Sequence, residues 1–232
     1  MSTASTISAP TACWACSAAL TQSALLCPSC GKVQPASAAD YFQVFGLERK
    51  LGLDTASLER EFHRLSRKLH PDRFARASTD EQQWSLANTA LLNDAYRTLR
   101  DPIQRTEYLL KLEGLKIGEE HAGKGKSADR QPPADLLEEV FELNMQLEEM
   151  RMNQKMGEND PGLHSELTAV SLRFESLLAE ADGQLAAKGA AWDAGDTYDR
   201  EQAAKEMAAL LDRRRYVKNL VRDVNEVLKP QF

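Results

Sequence analysis

The chain has 232 residues, of which 42% are hydrophobic, 28% are charged and only 6% are aromatic. Its formal net charge of −6 argues against a protein that binds nucleic acid over its whole surface. No segment approaches the roughly 18 uninterrupted apolar residues of a membrane span, so no membrane association is expected. The prevalence of Leu, Ala, Glu, Lys and Arg predicts a mainly helical fold.

The start of the chain bears on its location. The first basic residue is Lys32, whereas a secretory signal begins with basic residues and a mitochondrial presequence is rich in Arg. The expected location is therefore cytoplasmic, of the bacterial type. The alternative is the mitochondrial matrix, if a presequence has been removed.

All four cysteines lie near the start, in two Cys-x-x-Cys pairs separated by ten residues. Residues 1–12 are rich in Ser, Thr, Ala and Pro and are expected to form a disordered tail, followed by a module over 13–34. Four thiolates in two close pairs can surround one tetrahedral ion, and so small a segment would need that ion to fold. The predicted ligands of a structural zinc ion are Cys13, Cys16, Cys27 and Cys30. Iron or an iron–sulfur cluster, a redox dithiol and disulfides remain alternatives.

Residues 39–113 are predicted to form a second, helical domain. Asp40 is a candidate N-cap, and the next helix, over residues 54–70, carries an apolar stripe at spacings of four, three and four. The stripe consists of Leu58, Phe62, Leu65 and Leu69, and the opposite face carries Arg60, Arg64, Arg67 and Lys68. Pro71 cannot continue this helix, so His70-Pro71-Asp72 must lie in a loop. A third helix over residues 80–99 and a short helix ending at Gly114 complete the domain.

The last part of the chain is predicted to be a helical bundle. Residues 114–132 have no apolar period and contain glycines and prolines, which indicates a linker. Over residues 133–232, apolar positions recur at spacings of three and four in three segments, as in an antiparallel three-helix bundle. Its first segment is acidic, with six carboxylates and no basic residue between positions 134 and 150.

The His–Asp pair at positions 70 and 72 raises the question of catalysis. Pro71 holds the two side chains in a turn, and no G-x-S-x-G nucleophile motif occurs. The other histidines are scattered, so a histidine metal site is not indicated either. Without its flanks, the tripeptide is adequately explained as a solvated turn after a basic helix.

The flanking segments give the tripeptide a more specific meaning. "DYFQVFGL", the basic helix, "LHPDRF" and "LLNDAYRTLRDPIQRTEYL" follow one another in the order of the J-domain, which residues 40 to 112 closely resemble. The resemblance implies two long antiparallel helices with the HPD loop at their tip. That loop would bind a heat-shock-seventy-class chaperone and stimulate its ATPase. The implied contact residues are His70, Pro71, Asp72, Arg64, Arg67 and Lys68.

The whole arrangement narrows the family further. Paired cysteines, a J-domain, the "EYLLKLEG" extension and an acidic bundle together resemble the zinc-bearing HscB-type co-chaperones of iron–sulfur cluster biogenesis. This resemblance implies a non-enzymatic, all-α adaptor whose C-terminal bundle binds the iron–sulfur scaffold protein. The implied scaffold contacts are Leu137, Glu138, Phe141, Glu142 and Tyr216. Glu138 stands where the family has an apolar residue, and Met145 where it has an acid. From the pattern alone, the apolar members could equally be an extra column of the bundle core.

Three competing functions fit the sequence less well. A general folding co-chaperone with a different client would carry a Gly/Phe-rich region and a β-rich peptide-binding domain, and neither is visible. Nucleic-acid binding through the cysteine module is disfavoured because Lys32 is its only basic residue. A zinc enzyme would need an open ligand position. The sequence leaves open which chaperone is bound and whether the zinc module mediates self-association.

Overall fold

The computed structural model describes residues 11–21, 23–35, 39–115, 117, 132–195 and 197–229. The chain divides into two compact units, Met1–Tyr108 and Leu109–Phe232. The predicted tail up to residue 10 and most of the predicted linker lie outside the described residues. Nearly all regular structure in the described part is helical, which confirms the all-α prediction. None of the described helices is both long and apolar enough to cross a membrane.

The four-cysteine module opens the first unit. Its two short strands, β1 (Thr11–Ala12) and β2 (Ala19–Leu20), pair antiparallel. The buried residues of the module that cluster together are Cys13, Leu20 and Cys27. Leu25 and Val33 are also buried, which gives three buried aliphatic side chains and two buried cysteines. An apolar core of this size is too small to stabilise a fold in water without a metal or another cross-link.

Four helices follow in the first unit and the start of the second, namely α1 (Tyr41–Val44), α2 (Thr55–Leu69), α3 (Thr79–Arg100) and α4 (Pro102–Leu112). Side-chain caps define where they begin. Asp40 and Ser78 form capping boxes with the residues three positions later, Gln43 and Glu81. The Asp54 carboxylate accepts hydrogen bonds from the first amides of α2.

Helices α2 and α3 pack along the predicted apolar stripe. Leu58, Leu65 and Leu69 are buried, whereas Phe62 is half-buried and stacks on Tyr96 with ring centroids 4.1 Å apart. From α3, the stripe is met by the buried residues Leu92, Ala95 and Leu99. The pair forms a rigid antiparallel hairpin whose connecting turn is the predicted loop.

The second unit contains three long helices, α5 (Leu137–Met156), α6 (Pro161–Ala194) and α7 (Thr197–Leu228). Helices α5 and α6 run antiparallel, because Glu139 pairs with Arg173 and Gln146 with Glu166. Helices α6 and α7 are also antiparallel, because Asp182 pairs with Arg214 and Ser171 with Asn225. Helix α5 ends at Gly157, whose positive φ of 72° lets its amide bond back to the last turn. The predicted three-helix bundle is confirmed, because the three helices share one hydrophobic core.

The bundle core follows the predicted stripes of its first two helices. Its buried members there are Leu136, just before α5, and Val140, Leu143, Leu147, Met150, Leu163, Leu167 and Phe174 on the two helices. On α7 the sequence predicts an apolar stripe at positions 210, 217, 221, 224 and 228, and Val217 and Val224 are buried as predicted. At the other predicted positions a neighbouring residue is buried instead. Leu211 and Leu220 are buried, whereas the predicted Leu210 and Val221 are only half-buried.

Candidate functional site

The His-Pro-Asp tripeptide forms the exposed turn between α2 and α3. His70 ends α2 with φ −54° and ψ 128°, the extended conformation that a following proline favours. Pro71 then begins a 3-10 turn over Pro71–Phe74. The His70 ring accepts a hydrogen bond at Nδ1 from the Asp72 amide 3.3 Å away, and the Asp72 side chain is 90% exposed. The loop therefore presents an imidazole and a carboxylate to solvent.

The base of the loop is fixed by hydroxyl groups of α3. Ser85 Oγ donates to the carbonyl of Leu69 at 2.6 Å, and Thr89 Oγ1 donates to the same carbonyl at 3.2 Å. Leu69 is the last residue of α2, where a carbonyl has no partner within its own helix. The two hydroxyls therefore satisfy a helix-terminal acceptor and set the direction in which the chain enters His70.

The predicted basic residues lie beside the loop. Arg64, Arg67 and Lys68 are exposed on the last turns of α2. Arg64 forms an ion pair with Glu61 one turn earlier, and the hydrogen bond between them raises the pKa of Arg64 and lowers the pKa of Glu61. The Glu61 carboxylate thus partly neutralises Arg64, whereas Arg67 and Lys68 lie exposed next to the loop.

The four predicted metal ligands meet at one point. Their sulfur atoms all lie within 4.8 Å of one another. Cys13 Sγ and Cys30 Sγ are 3.7 Å apart, as are Cys16 Sγ and Cys27 Sγ. Four thiolates at about 2.3 Å from one ion have tetrahedral edges of about 3.8 Å, so the site fits a single ion. A multi-iron cluster would hold its cysteines further apart.

The two Cys-x-x-Cys turns have the same backbone hydrogen bonds. The amides of Cys13 and Cys27 donate to the carbonyls of Ala18 and Lys32, each at 2.9 Å. Gly31 closes the second turn with a positive φ of 73°, as its position predicts. Ser17 occupies the corresponding place in the first turn with φ 56°. The first turn therefore adopts a glycine-type conformation without a glycine.

The thiols have strongly different proton affinities. Burial acts to raise the pKa of Cys13, but hydrogen bonds from the Ala15 and Cys16 amides and from neighbouring thiols lower it to about 6. The Ala18 amide acts to lower the pKa of Cys16, but the Cys30 thiol and burial outweigh it and raise that pKa to about 12. Four thiols at such short distances cannot all ionise without a cation, which is the environment that a divalent metal stabilises.

The module is seated on α3, which the sequence did not predict. The rings of Trp14 and Trp84 lie 5.7 Å apart, and Trp14 Nε1 donates to the Val33 carbonyl at 2.8 Å. Lys32 Nζ forms an ion pair with Glu81 Oε1 at 2.7 Å. This bond lowers the pKa of Glu81, assisted by hydrogen bonds from Ser78, although burial acts to raise it. The apolar spacing of α3 gives no indication that a polar residue such as Asn88 is buried there.

The predicted scaffold contacts lie in the second unit, on α5 and α7. Leu137 and Phe141 are 58% and 66% exposed, and Glu138 and Glu142 are exposed beside them. Tyr216 differs, because it is only 6% exposed and belongs to the bundle core. The surface of α5 therefore carries an apolar pair bordered by carboxylates, with Tyr216 beneath the surface.

A family comparison identifies the first unit. The family model of the DnaJ domain matches residues 40–108, the region that contains the loop and its two helices. The iron–sulfur cluster co-chaperone protein HscB of Homo sapiens is 36% identical over 133 residues. Residues 40–108 thus form a DnaJ domain, and the chain is similar to the HscB co-chaperones. The matched region covers 57% of this chain and about half, 54%, of the human protein.

Solved structures agree with the HscB-type fold. The chaperone HscB from Vibrio cholerae aligns with a TM-score of 0.56 at 25% identity, over 82% of this chain and 97% of that one. The crystal structure of the human co-chaperone protein HscB aligns with a TM-score of 0.63 at 24% identity, over 93% of this chain and 98% of that one. The second likeness shows the fold of nearly the whole chain.

Proposed function

We propose that this protein is a non-enzymatic co-chaperone of the HscB type. It binds the iron–sulfur cluster scaffold protein, delivers it to a heat-shock-seventy-class chaperone and stimulates that chaperone's ATPase. The observation that carries this proposal is the exposed His70-Pro71-Asp72 turn at the tip of a rigid helix hairpin, beside Arg67 and Lys68. ATP hydrolysis takes place in the chaperone, and the loop supplies only a binding signal.

The loop is tested by Asp72→Asn. The substitution keeps the size of the side chain and removes its charge, so stimulation of the chaperone ATPase should be lost while the fold is retained, because the side chain is 90% exposed. Asp94→Asn is the matched control on the surface of α3, and it should stimulate like the wild type. Normal stimulation by Asp72→Asn, measured by phosphate release, would overturn the assignment of the loop.

The scaffold-binding face is proposed to lie on α5. Leu137 and Phe141 are large apolar side chains exposed one turn apart, and Glu138 and Glu142 border them. Such a patch suits a partner with an apolar face surrounded by basic residues. Tyr216 is proposed to support this face from below, because its buried position excludes a large direct contact in the unbound protein.

The face is tested by Phe141→Ala. We expect scaffold binding to weaken by about 2 kcal/mol, roughly 30-fold in Kd, as is typical of an aromatic hot spot. Leu172→Ala removes another exposed apolar side chain, 62% exposed on α6, and should leave binding unchanged. Calorimetric titration with the purified scaffold protein measures both. Equal losses in the two variants would indicate a non-specific apolar effect rather than a site on α5.

The metal is proposed to be zinc in a structural role. Four thiolates fill every position of a tetrahedral ion, so no position is open for catalysis. The proposed compartment is a reducing one, the bacterial cytoplasm or the mitochondrial matrix, because cysteines that hold a metal must stay in the thiolate form. Elemental analysis of the purified protein should find one zinc per chain. If the analysis instead finds iron, together with visible charge-transfer absorption, the assignment of zinc is wrong and the cysteines hold an iron site.

A further inference from the structure

The first three turns of α3 contact both the loop and the four-cysteine module. Residues 82, 85 and 89 of the helix bond to the loop, and residues 81, 84 and 88 bond or stack against the module. At 100° per residue, these two sets occupy neighbouring faces of one helix. A change in the conformation of these turns therefore alters the contacts with both the loop and the module.

On the loop side, α3 holds both ends of the turn. Ser85 and Thr89 bind the Leu69 carbonyl, which precedes His70. Gln82 Nε2 donates to the Ala77 carbonyl at 3.0 Å, on the part of the chain that returns to α3. Within the described part of the chain, His70 bonds to Asp72 and Arg73 of the same turn. The position of the loop is thus determined mainly by α3.

On the module side, α3 buries polar groups that need the module to cover them. Asn88 is fully buried and donates from Nδ2 to the Gln34 carbonyl at 2.8 Å. Glu81 is 6% exposed, with Oε1 bound to Lys32 and Oε2 closing the capping box with Ser78. One carboxylate therefore joins the module to the cap that begins α3.

Gln34 connects this interface to the metal ligands. Its Nε2 donates to Cys13 Sγ at 3.4 Å and to the Lys32 carbonyl at 2.9 Å, while its own carbonyl accepts from Asn88. The Lys32 carbonyl also accepts the amide of Cys27. Because the module has almost no apolar core, the free energy of metal binding is the free energy that folds it. Loss of the metal would remove the surface against which Asn88 is buried.

We propose that metal binding by the four cysteines braces the start of α3 and thereby fixes the HPD loop. Gln34 and Asn88 act as positioning residues in this coupling. With the metal bound, the first turns of α3 are covered and the loop has one conformation. Without it, these turns fray and the loop loosens, while the α2–α3 packing farther from the loop persists. The proposal rests on the cysteines holding a metal, and it is independent of which chaperone binds.

The coupling is measured by amide hydrogen exchange on the full chain, without a chaperone present. We expect removal of zinc by a chelator to accelerate exchange over residues 70–85 by roughly fivefold or more. Residues 137–156 of α5 should be unaffected and serve as an internal control. Unchanged exchange over residues 70–85 after complete zinc removal would overturn the proposal. Because no chaperone is present, this experiment can fail or succeed independently of the ATPase test with Asp72→Asn.

Two variants test the interface while the metal stays bound. Asn88→Ala removes the bond to Gln34 and should accelerate exchange over residues 70–85 with one zinc still present per chain. Asn93→Ala, an exposed asparagine of the same helix, is the matched control and should exchange like the wild type. Trp14→Ala weakens the same contact from the module and leaves the α3 sequence intact, so it remains informative if Asn88→Ala fails to fold. Wild-type exchange in Trp14→Ala or Asn88→Ala with zinc bound would refute the brace.

Discussion

Tyr216→Phe should make the bundle more stable, although it removes a polar group from a proposed contact residue. Tyr216 is 6% exposed, and its hydroxyl is buried without a hydrogen-bond partner among the described residues. A buried hydroxyl without a partner costs about 1–3 kcal/mol, and phenylalanine keeps the ring that packs in the core. We therefore expect a gain of about 1 kcal/mol in the free energy of unfolding. The midpoint of thermal unfolding should rise by about 3 °C.

The same substitution at Tyr108 provides a control of opposite sign. Tyr108 Oη accepts the Tyr41 amide at 2.9 Å, at the start of α1. Tyr108→Phe leaves that amide without its partner and should cost about 1 kcal/mol. Urea unfolding followed by circular dichroism measures both variants. A loss of stability in Tyr216→Phe comparable to that in Tyr108→Phe would show that the Tyr216 hydroxyl does have a partner, and would refute the reasoning.

Alkaline pH offers a second measurement of the same hydroxyl. Burial raises the pKa of Tyr216 above its ordinary value of 10.0. The folded state disfavours the phenolate, so ionisation of Tyr216 favours unfolding. The free energy of unfolding is unaffected by this group below the unfolded pKa, and it falls as the pH rises from there toward the folded pKa. The wild-type bundle should therefore lose more stability above about pH 10 than Tyr216→Phe does.

Three further substitutions test the local geometry. Ser85→Ala removes the shorter bond to the Leu69 carbonyl and should cost about 1 kcal/mol in urea unfolding, with Thr89→Ala costing less and the double variant more than either. Gly157→Ala forces a Cβ onto a residue with φ 72° and should destabilise the bundle by about 1 kcal/mol in the same measurement, and a neutral result would place the α5 cap elsewhere. Ser17→Gly should relieve the left-handed strain in the first cysteine turn and tighten zinc binding several-fold in competition with a chromogenic chelator. Weaker binding would show that the Ser17 side chain contributes to the site.

The loop and the metal ligands could be predicted because local rules determine both. A proline after a basic amphipathic helix forces a turn, and two Cys-x-x-Cys pairs need only close their own turns to face one ion. The burial of Leu58, Leu65 and Leu69 follows from their spacing in the same way. In each case the determining residues lie within a few turns of one another.

The register of α7 could not be fixed from the sequence, because its apolar residues come in adjacent pairs. Leu210 and Leu211, and likewise Leu220 and Val221, offer the same hydrophobicity on two faces separated by 100°. Only packing against α5 and α6 selects Leu211 and Leu220 for the core. The same ambiguity leaves Tyr216 on the border of the core in the sequence, although it is buried in the structure.

The seating of the module on α3 was also beyond the sequence. It joins residues that are 54 positions apart, such as Gln34 and Asn88, through a backbone carbonyl that has no sequence signature. A tryptophan and an asparagine on a predicted helix are compatible with many environments. Only tertiary contact shows that they cover a second structural element.

The unequal lengths of the bundle helices imply a gradient of local stability. Helix α5 has 20 residues, whereas α6 and α7 have 34 and 32. Because Glu139 near the start of α5 pairs with Arg173, the part of α6 beyond that point, about 32 Å long, pairs with α7 alone among the bundle helices. Its buried residues include Ala181, Leu185 and Trp192. A two-helix arm buries less apolar surface per turn than a three-helix section because each helix has only one neighbour, so its amides should open in native-state exchange well before those of the three-helix section. Phe141 on α5 therefore lies near the boundary between the less stable two-helix arm and the more stable three-helix section.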